Sequence, residues 1–151
     1  MQIHKFFFTL AMAASLGTIS FAGEPPVKIE QGWVRAVPPS SSDSVAYMTL
    51  LNTADQPLRL TGGKTPIAEM VMPMLTTKKT VNGQEVVGMK EVAELVIPAH
   101  GRLTLTPDDA HLMLMTLKEH PKPGDKVTLT LRFEPGAKTL TTELPVALNK
   151  P

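Results

Sequence analysis

Short runs of alternating apolar and polar residues recur along the chain, separated by turn-forming residues. Lys126-Val127-Thr128-Leu129-Thr130-Leu131-Arg132-Phe133 alternates over eight positions, and a period of two sets one face of a strand against a core. Gly32-Trp33-Val34-Arg35, Val45 through Leu51, Glu94 through Ile97, and Arg102 through Leu105 read as further strands. Between them lie Pro38-Pro39 with its serines, Asn82-Gly83, Pro98 through Gly101, Pro107-Asp108-Asp109, Pro121 through Asp125, and Pro135-Gly136. Strands at this spacing predict an all-β sandwich or small barrel. No segment shows capped helical periodicity. Pro25-Pro26 and Asn149-Lys150-Pro151 are expected to be frayed ends.

The N-terminus follows a different pattern. Lys5 precedes an apolar run from Phe6 to Ala14, and Ser20-Phe21-Ala22 sets small residues at a cleavage site. That is the three-part pattern of a secretory signal peptide, and the run is shorter than the ~20 residues a bilayer span needs. The expected organisation is a signal over residues 1–22, cleaved after Ala22, and one β domain over 23–151. The exported protein is then periplasmic, with no membrane insertion after processing. Lys5 is the only charged side chain in the signal, so 14 basic residues face 14 acidic ones beyond it. Nucleic-acid binding requires a positive surface that displaces counterions, and this balance excludes it.

The chain has no cysteine. Disulfides, thiolate zinc sites, iron–sulfur clusters, a lipid-modified N-terminal Cys and a blue-copper centre are therefore all excluded. Methionine is the unusual residue, with six of nine falling between positions 70 and 115. In an extended His111-Leu112-Met113-Leu114-Met115, the imidazole and two thioethers share one face and the leucines the other. The leucines suit a core, so His111, Met113 and Met115 are expected to face outward or into a shallow pocket. Met70, Met72 and Met74 alternate in the same way. Asn82-Gly83 between β-prone arms predicts a type I′ hairpin, in which opposed residues sum to 165. Met89 then lies opposite Thr76, with Met74 its diagonal neighbour on the same face and Met72 one step beyond. Pro73, lacking an N–H, marks that arm as an edge or as irregular at its start. Thioethers are soft donors that suit Cu(I), imidazole suits copper generally, and the cluster lacks the oxygen ligands of Mg²⁺ or Ca²⁺.

At this point the sequence resembles the periplasmic copper chaperone family of the PCu(A)C type, linked to assembly of the copper-A centre of cytochrome c oxidase. The family pattern is a His or Met, ten residues, Met, twenty-one residues, then His-x-Met. Met89, twenty-one intervening residues and His111-Leu112-Met113 match its last part. Gly32 through Arg35 to Pro38-Pro39, Ala46-Tyr47 through Asn52, Ile97-Pro98-Ala99, His111 through Leu117, and Gly124-Asp125 leading to Leu129 through Glu134 match its flanks. The likeness covers residues 29–147. The first ligand departs from the pattern, because ten residues before Met89 comes Lys78, which cannot serve. Two extra residues on each hairpin arm would preserve face and neighbourhood, so Met74 is expected as the substitute, with Met72 the alternate. His100 and His120 are expected in exposed loops.

The resemblance implies a cupredoxin-like Greek-key fold and a Cu(I) cargo at Met74, Met89, His111 and Met113. It also implies a copper-accepting partner, such as an oxidase subunit or a Sco-type assembly factor. Copper storage, and a metal-free structural module whose methionines merely pack, are the competing readings. No enzyme is expected: Ser40 through Ser44 reads as a polar loop and Asp108-Asp109 as a turn.

Overall fold

The computed structural model describes residues 24–151; the expected signal peptide lies outside them. Ten strands and no helix make up the described residues. They are β1 (Val27–Arg35), β2 (Ser44–Asn52), β3 (Leu58–Thr65), β4 (Ala68–Val81), β5 (Gln84–Glu91), β6 (Leu95–Ile97), β7 (Arg102–Thr104), β8 (Ala110–Leu117), β9 (Lys126–Glu134) and β10 (Lys138–Ala147). No helix there is long and apolar enough to cross a membrane.

The strand order β4-β8-β2-β1-β10-β9-β3 closes on itself, because β3 also pairs with β4. All pairings in this seven-membered ring are antiparallel except β1 with β10. The fold is the expected all-β, cupredoxin-like one, realised as a closed barrel. Closure leaves few free strand edges. The short strands β6 and β7 line β3 and β2, while β5 extends outward from β4. Inside the ring lie Val34, Met48, Leu50, Leu60, Leu112, Leu114, Leu129, Leu131 and Phe133.

Two strands escape the sequence reading. Leu58–Thr65 contains Gly62-Gly63, a turn signal by composition, but here the glycines allow two backbones to meet. A Cβ on Gly63 would lie 2.1 Å from the Thr130 carbonyl oxygen of β9, and one on Gly62 2.9 Å from that of Val71 in β4. Lys138–Ala147 carries Pro145 and alternating threonines, and becomes a strand by pairing along β9. At the N-terminus the expectation of fraying fails. Pro25 is buried, and the Pro26 carbonyl accepts from the N–H and hydroxyl of Thr53.

One irregularity in β1 positions the site. The β1–β2 register shifts between Glu30 and Trp33, where Gln31 has φ of 50°. Such a bulge adds one residue and flips the alternation beyond it. Val27 and Ile29 face the core before the bulge, and Val34 and Ala36 after it. Trp33 is thereby turned to the outer face, where it packs with Val45 and Tyr47 of β2 in a second, smaller cluster that Met113 joins.

Candidate metal centre

Strands β4 and β8 divide their side chains sharply between the two faces. Val71, Ala110, Leu112 and Leu114 enter the barrel core, with Leu75 packed against it. The methionines lie opposite them. Met70 pairs with Met115, Met72 with Met113, and Met74 with His111, so three consecutive rungs carry soft donors on both strands. Side chains directly opposed across a ladder have Cβ atoms about 4.5–5.5 Å apart.

The hairpin adds the remaining donor. Asn82 and Gly83 both have positive φ, 51° and 76°, as a type I′ turn requires. The register then runs from Val81↔Gln84 to Thr76↔Met89 and Met74↔Glu91. Met89 therefore lies diagonal to Met74 on the same face and is 56% exposed. Lys78 pairs with Val87, further out along the arm and exposed. Pro73 does not mark an edge strand. β4 is flanked by β8 on one side and by β3 and then β5 on the other, and Pro73 falls where β3 gives way to β5. Its carbonyl accepts from Val92 N–H, while its missing donor costs the sheet nothing at that gap.

His111 departs from expectation in one respect. It is on the expected face, away from Leu112, but it is not surface-exposed: 1% of it reaches solvent. β2 and the outer aromatic cluster cover it, with the Tyr47 ring centroid 6.5 Å from that of His111 and the Trp33 centroid 5.0 Å from that of Tyr47. Its Nδ1 lies 3.2 Å from the Asp109 carbonyl oxygen. A carbonyl can only accept, so Nδ1 carries a proton, and in the neutral ring Nε2 presents a lone pair. Nε2 is buried with no hydrogen-bond partner. Burying an unpaired polar atom costs about 1–3 kcal/mol, and an imidazole held by one nitrogen with the other free is the arrangement of a metal-ligating histidine.

The carbonyl that orients the ring also anchors the hairpin. Asp109 accepts from the backbone N–H of Thr76 at 3.0 Å as well, and the Thr76 hydroxyl donates to the Pro107 carbonyl. The turn at Pro107-Asp108-Asp109 thus ties the root of the Met89 arm to the imidazole. Sequence reasoning missed this carbonyl, since a backbone acceptor has no residue signature. It also left Tyr47 and Trp33 without a role, although the nearly unbroken apolar run of β2 signals a strand covered on both faces. Burial raises the Tyr47 phenol above its ordinary pKa of 10.0, opposed by nearby Arg35 and reinforced by Asp108. Beside Tyr47 opens a cavity of about 330 Å³, with Trp33, Arg35, Pro107 and Lys150 among its walls.

The other histidines stand apart from this cluster. His100 contacts Asp55 at 2.5 Å in an exposed pair, and half-buried His120 donates from Nε2 to the Ser41 carbonyl. No group of three or more His, Asp or Glu side chains among the described residues is arranged to hold a metal ion. Thioethers and the single imidazole are what the clustered face offers. A purely packing role predicts these methionines sealed and scattered, whereas Met89 is largely exposed and Met74 is the direct partner of His111.

Comparison with known proteins agrees with this architecture. The family model described as "Putative lipoprotein LpqE-like" matches residues 27–146. "Putative lipoprotein Lxx21020" of Leifsonia xyli subsp. xyli is 32% identical over 112 residues, 74% of this chain. The chain spans 64% of the length of that relative. Among solved structures, that of CuI-DR1885 from Deinococcus radiodurans is 43% identical, with a TM-score of 0.65 over 85% of this chain and 83% of that one. The copper-bound PCuAC domain from PmoF2 is 24% identical and shares the fold, with a TM-score of 0.67 over 84% of this chain and 97% of that domain. The match over most of its length shows that the chain belongs to the LpqE-like family and that its domain is of the PCuAC type.

Proposed function

We propose that this protein is a Cu(I) chaperone that captures the ion outside the cytoplasm and hands it to an acceptor. His111 Nε2, with the thioethers of Met74, Met89 and Met113, holds the cargo. The unpartnered Nε2 of His111, buried directly across the ladder from Met74, carries this reading. Three thioethers and one imidazole favour Cu(I) over Cu(II), and thioethers need no deprotonation to bind. Met74 is favoured over Met72 because it alone lies both opposite His111 and diagonal to Met89. The copper named for the similar structures of CuI-DR1885 and the PmoF2 domain supports the choice of metal.

Release follows from the same geometry. Met89 sits on a projecting hairpin, so an acceptor can displace its sulfur first and take the ion by stepwise ligand exchange, with no change in oxidation state. An oxidase subunit or a Sco-type assembly factor in the periplasm is the proposed destination, reached by export on the residue 1–22 signal.

Competition against a chromophoric Cu(I) chelator tests the site. Met74→Leu should weaken binding more than Met72→Leu; the reverse order would remove Met74 from the ligand set. Mixing the loaded protein with a copper-free acceptor then separates delivery from storage. Retention of the ion at a chelator-calibrated downhill gradient would refute delivery.

A further inference from the structure

We propose that Met70, Met72 and Met115 form a second, thioether-only Cu(I) station one rung along the ladder from the His111 centre, which loads first and passes the ion inward through Met113. This rests on the Cu(I) reading above and extends it to the path the cargo takes.

Methionine placement on these two strands is the first support. Every methionine of β4 and β8, at positions 70, 72, 74, 113 and 115, is on the outer face, while the inner positions hold Val71, Pro73, Leu75, Ala110, Leu112 and Leu114. Packing does not require the division, since volume-conserving swaps between methionine and leucine usually cost less than about 1.5 kcal/mol and Met48 shows methionine accepted inside the same barrel. The two rungs beside Met89 take only three of the five methionines, Met72, Met74 and Met113, together with His111, and Met70 and Met115 are left facing one another with no apolar layer over Met70, which is 47% exposed.

The second support is a gradient of access along the ladder. Met70 is open to water, Met115, Met72 and Met113 are half-buried, and His111 is sealed. Met89, 56% exposed, opens the hairpin end of the ladder to a docking acceptor, and an ion that enters at the opposite end meets the Met70–Met115 pair first. From there Met72 and Met113, the next rung, are cross-strand and same-face neighbours of both centres. The transfer is ligand exchange: a Cu–S bond to Met113 forms as one to Met70 or Met115 breaks. The ion remains Cu(I), and no proton moves. Imidazole is available only at the buried end, so the donor set there differs from the one at the mouth and holds the ion in place.

The test titrates Cu(I) anaerobically into the full chain, with sulfur and nitrogen ligation read by X-ray absorption. Met70→Leu/Met115→Leu conserves volume on a partly exposed face, and far-UV circular dichroism verifies its fold. Wild type should take a tight equivalent with nitrogen in its shell and a weaker sulfur-only equivalent. His111→Leu should retain only the sulfur-only equivalent. The double methionine variant should lose it, hold the tight site within about twofold of wild type, and load more slowly than wild type in stopped-flow mixing with a Cu(I) donor complex, because the local supply of ion is gone. A His111→Leu protein that binds no Cu(I), or a double variant that loads at the wild-type rate, would overturn the station. Loss of the nitrogen-containing tight site from wild type would instead overturn the chaperone reading, so the two failures are distinguishable.

Discussion

Replacing His111 by leucine should abolish tight Cu(I) binding while leaving the metal-free protein as stable as wild type or more so. Leucine approximates the imidazole in volume, so no large cavity opens, whereas His111→Ala at this sealed position would leave one and cost about 2–5 kcal/mol. The substitution removes an unpaired Nε2, relieving about 1–3 kcal/mol, and forfeits one Nδ1–H bond worth about 0.5–1.5 kcal/mol. The Asp109 carbonyl keeps the Thr76 N–H as a donor, so no new unsatisfied group appears. The net change lies between about −0.5 and +2.5 kcal/mol in favour of the variant, and at about 4 °C per kcal/mol for a domain of this size the midpoint should hold or rise. Urea denaturation of both apo proteins measures the first half, and chelator competition the second. With free Cu(I) at about 100 times Kd, wild type should gain about 2.7 kcal/mol on loading and the variant almost none. An apo loss above about 2 kcal/mol would show that the imidazole is a structural element, and retained affinity would remove it as a ligand.

Two further expectations concern the frame around the site. Gly63→Ala drives a Cβ into the Thr130 carbonyl and should destabilise the barrel by about 3 kcal/mol or more in urea titration; a near-neutral result would mean that β3 and β9 do not approach as described. Tyr47 is the only tyrosine, so ultraviolet titration of the phenol reports it alone, and burial should hold its ionisation above pH 10.0 in the native state. Because the folded value exceeds the unfolded one, its contribution to stability is complete below pH 10 and fades as pH rises through the native value; titration at or below 10 would contradict its burial.

Much of the site was legible because it depends on local periodicity. Alternation put Met70, Met72 and Met74 on one face and His111, Met113 and Met115 on another, and Asn82-Gly83 set the register that brings Met89 diagonal to Met74. What alternation cannot specify is which strand lies beside which. The pairing of β4 with β8, and so of Met74 with His111 and Met72 with Met113, arises from barrel closure between segments roughly forty residues apart. β3 was hidden for a related reason: Gly62-Gly63 reads locally as a turn, and only the close approach of β9 makes glycine a strand requirement there. Likewise, the burial of His111 is invisible to alternation because its cover comes from other parts of the chain. The bulge at Gln31 turns Trp33 outward onto Tyr47, and together they close over a face that would otherwise meet water. Donor types, their faces and the hairpin follow from residue order along each strand; their partners and their burial do not, since both depend on surfaces that meet only when the ring of strands is complete.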